Sequence, residues 1–267
     1  MDLGLTDKVA LVLAASKGLG LACAKGLFAE GANVVICSRS QENLTQAKKE
    51  ILEVSSTQKA NKLVTIVADL KFEEQIKALV FKTLEEFGKI DILVHNAGGP
   101  PSAPIELISK QDWEDSIKLN LLSFVRIADQ VLPIMRKQNY GRILAITSVS
   151  VKQPLNNLVL SNTTRLGVVG YAKTLANEYA KDDILVNVVC PGPMLTTRMK
   201  ELIKAQMSET GKSEQEVTNF WLNDIPLGRF GQPEDLADLV VFLASKRASY
   251  ITGTVIQVDG GFVKSSL

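Results

Sequence analysis

Short apolar runs rich in valine and isoleucine alternate along the chain with longer stretches of helical period. The runs are apolar on both faces, which is typical of parallel strands covered by helices on both sides. Between two of them, Ile76, Leu79, Val80, Leu84 and Phe87 share one face of a predicted helix. The predicted strands are residues 9–14, 33–38, 63–68, 90–95, 142–147, 184–190 and 254–258.

This alternation predicts an α/β fold, a doubly wound (Rossmann-type) parallel sheet of seven strands with helices on both faces. No repeat or Pro/Ser-rich linker divides the chain, so residues 1–267 are predicted to form a single domain. Residues 196–224 interrupt the pattern, with apolar side chains set among charged ones. We predict a small helical flap there, with few core contacts. It is expected to be mobile without ligand and to bring Phe220 or Trp221 toward a substrate.

Composition narrows the classes of partner. Lys plus Arg is 30 and Asp plus Glu is 29, so the balance of charge indicates neither nucleic acid nor a membrane surface. No apolar stretch reaches the ~18 residues of a membrane span, and the N-terminus does not resemble a secretory signal. The three cysteines are far apart and only one histidine is present, which argues against disulfides and metal. These features predict a reduced, cytoplasmic setting.

The first predicted strand runs into the turn Ala15-Ser-Lys-Gly-Leu-Gly20, which opens a helix. Glycine at 18 and 20 allows the backbone to turn tightly and to approach a pyrophosphate. The helix N-terminus supplies free N–H groups there. A glycine pair at a strand–helix turn also serves as a plain connector. Its position in the first β-α unit of an alternating chain favours dinucleotide binding.

Further motifs follow this turn in a fixed order. Asn96-Ala-Gly98 comes after the fourth strand, Asn120 lies in a long helix, and Ser148 ends the fifth strand. Pro191-Gly192 comes after the sixth strand, and segments 225–235, 250–254 and 259–261 complete the pattern. The whole chain thus resembles the short-chain dehydrogenase/reductase family. Its T-G-x-x-x-G-x-G segment is matched here except at Leu13 and Ala14, which replace the Thr and the first Gly.

The resemblance implies a dinucleotide site, with Asp69 at the adenine and Thr196 at the nicotinamide carboxamide. It also implies a homotetramer, with the long helices around Asn120 and Arg165 and segment 253–262 at the interfaces. A small-molecule substrate is the other expected partner. The predicted cofactor-binding residues are Ala14, Ser16, Lys17, Gly18, Leu19, Gly20, Ser38, Arg39, Asp69, Leu70, Asn96, Ala97, Gly98, Pro191, Gly192 and Thr196.

The end of the second strand predicts which dinucleotide binds. An NAD site usually places an acid there, which holds the ribose hydroxyls and repels a 2′-phosphate. This chain has Ser38-Arg39-Ser40 instead. Arg39 can pair with a phosphate, Ser38 and Ser40 can donate to it, and Lys17 adds charge. Arg39 and Lys17 could instead be solvated surface charges. Their placement on two sides of one expected phosphate predicts NADP(H) in preference to NAD(H).

The expected catalytic residues break the family pattern. The resemblance implies Asn120 and Ser148 together with a tyrosine and, four residues later, a lysine on the same helix face. Thirteen residues past Ser148 stands Ser161, and four further stands Arg165. Tyr171 and Lys173 are two residues apart and off that face, so they do not replace the pair. The candidate catalytic set is therefore Ser148, Asn120, Ser161 and Arg165.

A serine hydroxyl is far less acidic than a tyrosine, whose reference pKa is ~10, and an arginine stays charged. Hydrolysis by Ser161 would need a base, and the single histidine, His95, is predicted to be a packed strand-end residue. Two functions stay open. One is an NADP(H)-dependent oxidoreductase of carbonyls or alcohols, in which Ser148 and Ser161 polarise the carbonyl and a water near Asn120 supplies the proton. The other is an NADP(H)-binding regulatory homologue. The flap predicts a hydrophobic substrate, and Arg165 an anionic group on it.

Overall fold

One parallel sheet forms the centre of the fold in the computed structural model, which describes residues 2–54 and 61–265. Within those residues it has seven strands in the order β3-β2-β1-β4-β5-β6-β7, so the chain reverses direction across the sheet between β1 and β4. The predicted doubly wound sheet is confirmed. The strands are β1 Val9–Val12, β2 Asn33–Ser38, β3 Leu63–Val67, β4 Ile92–His95, β5 Gly141–Ile146, β6 Ile184–Pro191 and β7 Val255–Val258.

Helices cover both faces of this sheet. Apolar residues of α1, α2 and α9 pack on one face, and those of α3, α5 and α6 pack on the other. The predicted stripe of α3 is confirmed, since Ile76, Leu79 and Val80 are buried. The α-helices of the described residues are α1 Gly18–Ala29, α2 Gln41–Glu53, α3 Glu73–Phe87, α4 Lys110–Ser116, α5 Ser123–Gln138, α6 Val159–Tyr179, α7 Thr197–Thr210, α8 Glu214–Asp224 and α9 Pro233–Ala244.

Two strands have different bounds from the predicted ones, the first at its end and the fourth at its start. The first strand stops at Val12 instead of residue 14, because Ala14 takes a φ of +47° and turns the chain. The fourth begins at Ile92, and the buried Asp91 before it accepts a hydrogen bond from the Val9 backbone instead. Both differences lie in apolar surroundings, where hydrophobicity alone does not mark the end of a strand.

The predicted flap consists of α7 and α8, so its helical character is confirmed. The expectation of few core contacts is wrong. Met199, Ile203 and Val217 are buried in the same core cluster as residues of α5 and α6. The apolar stripe of the two helices therefore packs inward and fixes them on the domain. Mobility of the flap without ligand stays a prediction. In the described part of the chain, no helix is both long enough and apolar enough to cross a membrane.

Candidate active site

A cavity of about 310 Å³ opens at the carboxyl ends of β1, β4, β5 and β6. This edge, next to the β1–β4 reversal, is where doubly wound sheets bind their ligands. The turn before α1 forms one end of the cavity, and the start of α6 and the flap form the other. Thirteen predicted site residues line it together: Ala14, Lys17, Gly18, Leu19, Asn96, Ala97, Gly98, Ser148, Ser161, Arg165, Pro191, Gly192 and Thr196.

The glycine turn leaves room only for backbone. A Cβ at Gly20 would lie 2.7 Å from the Ala14 carbonyl oxygen and 2.8 Å from the Asn96 side-chain nitrogen. Gly18 has a φ of +56°, a conformation that other residues rarely adopt. Asn96 also donates a 3.2 Å hydrogen bond to the Ala14 carbonyl, which joins the turns after β1 and β4. Gly20 therefore acts from beneath the cavity, by letting these turns approach each other.

Ala14 replaces a glycine of the family pattern and keeps the same type of backbone. Its φ of +47° lies in the left-handed region. That conformation costs a non-glycine residue about 1–2 kcal/mol. The hydrogen bond from Asn96 stabilises the turn against this strain. The turn is therefore preserved although the glycine is not.

At the end of β2, Arg39 is exposed beside the N-terminus of α2. The Ser40 hydroxyl accepts a 3.2 Å hydrogen bond from the Asn43 N–H and caps this helix. The Ser38 hydroxyl donates to the Ser40 carbonyl at 3.1 Å, so in this structure it shapes the turn. The helix end and the free guanidinium together form a setting suited to an anion.

Other predicted cofactor residues lie around the cavity without lining it. One carboxylate oxygen of Asp69 accepts a 3.0 Å hydrogen bond from the Lys71 N–H, which holds the turn after β3. Leu70 is buried in the core next to that turn, and Ser16 is half-buried before α1. Their contacts with a dinucleotide stay predictions.

Ser148 and Ser161 face the same cavity from different elements. The Ser148 oxygen accepts a 3.1 Å hydrogen bond from the Ser150 N–H, which leaves its own hydrogen free to donate. Ser161 lies on α6, is buried, and has its oxygen 3.4 Å from that of Ser150. Two hydroxyl groups are thus available to a substrate oxygen, and Ser150 is a supporting residue that sequence reasoning missed.

Arg165 is buried beneath the cavity and is largely satisfied by backbone. Its Nη1 donates to the carbonyls of Ile146 and Thr147 at 3.1 and 2.7 Å, and its Nη2 to that of Ala97 at 3.4 Å. Burial, together with the charge of Arg198, lowers the pKa of Arg165 to about 10. It is therefore still charged at neutral pH. Its hydrogen bonds hold the ends of β4 and β5 together under the site.

Asn120 lies in a π-helical segment, Ile117–Leu122, that joins α4 to α5. Its side-chain nitrogen donates to the Gly98 carbonyl at 2.9 Å, and its oxygen lies 3.4 Å from the Ser116 hydroxyl. π-Helical turns occur frequently at functional sites. Asn120 is buried and does not line the cavity. Its hydrogen bond to Gly98 instead fixes the Asn96–Gly98 turn in position.

None of the four tyrosines reaches this cavity. Tyr171 donates to Asp129 at 3.3 Å, and Lys173 donates to the Gly253 carbonyl at 2.9 Å, both away from the site. Burial and then Asp129 raise the pKa of Tyr171 to about 12. The prediction that this pair lies off the catalytic face is confirmed.

His95 is fully enclosed, as predicted for a packed strand-end residue. Its Nε2 lies 2.9 Å from the Ser123 hydroxyl, and its ring centroid is 4.9 Å from that of Phe124. Its Nδ1 has no hydrogen-bond partner among the described residues. Burial first, then the charge of Arg165, lowers its pKa to about 3. It is therefore neutral and remote from any proton transfer in the cavity.

Arg198, at the start of the flap, is the main lining residue that sequence reasoning missed. Its Nη2 donates to the Pro100 carbonyl at 2.5 Å, and its guanidinium lies against Gly99. Its place two residues after Thr196 was the available signal. Trp221, predicted to approach a substrate, does line the cavity, whereas Phe220 lies in an adjoining groove.

The residues present fit a nicotinamide dinucleotide. Gly20 keeps a cradle that a Cβ would fill, and Lys17 at the turn before α1 and Arg39 at the end of β2 are exposed cations that could hold phosphate groups. The fold defines an α/β protein of the doubly wound class, and this edge of the sheet is where proteins of that class bind dinucleotides.

Comparison with known proteins narrows the class. The model of the family described as enoyl-(acyl carrier protein) reductase matches residues 13–263. The 3-oxoacyl-(acyl-carrier-protein) reductase FabG of Thermotoga maritima is 36% identical over 259 residues, covering 97% of this chain and 99% of that protein.

Two solved structures extend this likeness. L-Sorbose reductase of Gluconobacter frateurii, complexed with NADPH and L-sorbose, superposes with a TM-score of 0.91 at 33% identity, covering 99% of this chain and 100% of that one. Actinorhodin polyketide ketoreductase with NADPH gives a TM-score of 0.92 at 31% identity, covering 97% and 98%. The chain belongs to the short-chain dehydrogenase/reductase family, whose members named here are oxidoreductases.

Proposed function

We propose that this protein is an NADP(H)-dependent oxidoreductase of a carbonyl or alcohol substrate with altered acid/base machinery. One observation carries the proposal. The cavity joins the glycine turn, Ser148, Ser161 and the flap in one continuous lining. Relatives named as 3-oxoacyl-thioester and sugar reductases make such carbonyl compounds the first substrates to test.

When bound, the reduced nicotinamide would supply the hydride that reaches the carbonyl carbon. Lys17 and the N–H groups at the start of α1 would hold the diphosphate, and Thr196 the carboxamide. The Ser148 hydroxyl, fixed through its bond from Ser150, would donate to the substrate oxygen. Ser161, whose oxygen lies 3.4 Å from that of Ser150, would donate to the same substrate oxygen. These two hydrogen bonds stabilise negative charge on that oxygen as it develops.

Proton delivery is where this site differs from the family pattern. Serine donates a hydrogen bond but is too weak an acid to supply a proton at neutral pH. Arg165 keeps its protons and uses three donor contacts on backbone carbonyls. A water molecule is as weak an acid as serine, so the proton would have to be relayed from bulk solvent through water beside the Asn96–Gly98 turn, which Asn120 would position through Gly98. Slow reduction of ordinary ketones follows from this arrangement.

The preference for NADP(H) over NAD(H) rests on the end of β2. Arg39 is exposed there, no acid stands at residues 37–40, and the N-terminus of α2 lies alongside. An arginine can bind a 2′-phosphate through two hydrogen bonds. The NADPH named in the two solved structures supports the same choice.

The second candidate is an NADP(H)-binding regulatory protein without appreciable turnover. The absence of all four tyrosines from the cavity lining favours it specifically. Under this function the glycine turn and Arg39 would still bind cofactor.

We also propose a homotetramer. Ile117 at the start of the π-helical segment is 37% exposed and Leu166 on α6 is 54% exposed, which leaves apolar area on the predicted interface helices. Light scattering is expected to give four times the 29.0 kDa chain mass, and a monomer at micromolar concentration would contradict it.

NADPH absorbance across a panel of carbonyl substrates tests the proposed function. Reduction of at least one substrate, with loss of activity in Ser148→Ala, is expected. Calorimetric binding of NADPH without turnover of any panel member would instead support the regulatory function.

A further inference from the structure

The cavity contains more positive charge than a dinucleotide diphosphate requires. Lys17, Arg165 and Arg198 line it, and no aspartate or glutamate does so in the described part of the chain. Lys17 lies at the glycine turn and Arg165 is bonded to backbone. Arg198 is the remaining cation, and it lies on the flap, which also contributes Met199, Leu202 and Trp221 to the lining.

The structure makes room for Arg198 at this place. A Cβ at Gly99 would lie 2.7 Å from its Nε and 3.1 Å from its Cζ, so the absence of a side chain at Gly99 lets the guanidinium lie directly against that loop. The bond from Nη2 to the Pro100 carbonyl fixes its orientation. Nη1 lies 3.6 Å from the carboxylate of Glu201, which is 60% exposed and screened by water. The side chain is partly buried and stays accessible from the cavity.

From this geometry we infer that Arg198 binds an anionic group, a carboxylate in particular, on the carbonyl substrate. The inference rests on the proposed function and names its substrate class: an oxo acid with an apolar tail. Leu155, Leu158, Leu202 and Trp221 line this cavity and also the adjoining groove, which continues under the flap and receives the tail. Arg165, the residue first expected to hold the anion, is committed to the backbone.

A cofactor phosphate is the other source of such an anion, and the test separates the two. The probes are two acids, 2-oxo-4-phenylbutanoate and 4-oxo-4-phenylbutanoate, each with its neutral ethyl ester. Turnover is measured from NADPH absorbance. Binding of each probe to the NADP-loaded protein and binding of NADPH itself are measured by calorimetry.

In the unaltered protein, the kcat/KM of at least one acid is expected to be about tenfold or more above that of its ester. The acid is also expected to bind more tightly by a similar factor. An effect of this size corresponds to one charge-assisted hydrogen bond. Arg198→Met is expected to remove this preference, so that acid and ester are bound and turned over alike, and to change NADPH affinity far less than acid affinity. Arg198→Lys is expected to keep part of it. Glu201→Gln removes the competing carboxylate and is expected to strengthen acid binding a few-fold.

If the esters are turned over as fast as the acids, the inference is wrong and the proposed function stands. A parallel loss of NADPH affinity in Arg198→Met, with acid preference unchanged, would assign Arg198 to the cofactor phosphate and also overturn it. Acid binding that depends on Arg198 without any turnover would support the inference and refute the proposed function.

Discussion

The two ends of the cavity depart from the family pattern in different ways. At the glycine turn, Ala14 replaces a glycine, yet its backbone takes a φ of +47° and the turn survives. On α6 the helix is intact, but Ser161 and Arg165 stand where the acid and its partner are expected. Backbone N–H groups bind phosphate whatever side chain they carry. Proton transfer needs one particular side chain. We therefore expect the two substitutions on α6 to affect catalysis more than Leu13 and Ala14 at the glycine turn affect cofactor binding.

The largest expected effect comes from restoring the α6 pair. Ser161→Tyr with Arg165→Lys is expected to raise kcat on simple ketones by about 10²–10⁴, the usual contribution of a positioned general acid. Either single change is expected to give less, because the pair acts as a unit. Steady-state NADPH oxidation by the four proteins measures this.

Thermal unfolding of the same variants is the control, since Arg165→Lys loses donors to three backbone carbonyls. A folded double variant no faster than the unaltered protein would show that another residue supplies the proton.

Filling the cradle at the other end is expected to weaken NADPH binding at least a hundredfold. In Gly20→Ala the new Cβ would press on the Ala14 carbonyl oxygen, which is rigid backbone. Each 1.4 kcal/mol of misfit weakens binding tenfold. Gly170→Ala on α6 is the matched control, because nothing lies within 4 Å of a Cβ there. Equal dissociation constants for Gly20→Ala and the control would contradict the assignment of the phosphate site.

The buried His95, in the core between the two ends of the cavity, is expected to make the stability of the protein depend on pH. Its folded pKa of about 3 lies below the ordinary 6.5, so the unfolded chain binds the extra proton first and stability falls as pH drops below 6.5. From pH 6.5 to pH 5, this group is expected to lower the free energy of unfolding by about 2 kcal/mol. Urea unfolding over this range measures the slope. His95→Gln should flatten it, and an unchanged slope would contradict a neutral His95.

The smallest effect concerns cofactor choice. Arg39→Ala is expected to weaken NADPH binding about tenfold and leave NADH unchanged, because only NADPH carries the 2′-phosphate. Lys49→Ala is the control, because Lys49 is an exposed cation on α2 beyond the end of β2. Equal affinity of the unaltered protein for both cofactors would contradict the preference.

Apolar periodicity predicted the strands of the sheet well, because the central strands β1, β4, β5 and β6 are buried along their whole length. The strands at the two edges, β3 and β7, are partly exposed. Periodicity could not place the end of β1, since Leu13 and Ala14 are apolar and the turn is made by a dihedral angle. Periodicity also predicted too few core contacts for the flap, because Met199, Ile203 and Val217 lie in a segment with many charged residues. Burial of such a stripe depends on what faces it in the fold.

Motif order predicted thirteen of the residues that line the cavity but not the bonding within it. The sequence shows Arg165 beside Ser161, yet only the structure reveals its contacts with Ile146, Thr147 and Ala97. Arg198 was signalled only by its place two residues after Thr196, and its contact with Gly99, about a hundred residues earlier, is visible only in the structure. Contacts between segments far apart in the sequence depend on packing, so the spacing of motifs does not predict them.

The central claim is that this cavity binds NADPH but contains no proton donor strong enough for ordinary ketone reduction. The most direct measurement is turnover of a simple ketone such as cyclohexanone by the unaltered protein at an NADPH concentration that calorimetry shows to be saturating. We expect clear NADPH binding with a kcat below about 0.1 s⁻¹, at least a hundredfold under the usual ~10 s⁻¹. Tight binding together with a kcat of ~10 s⁻¹ or more would contradict it.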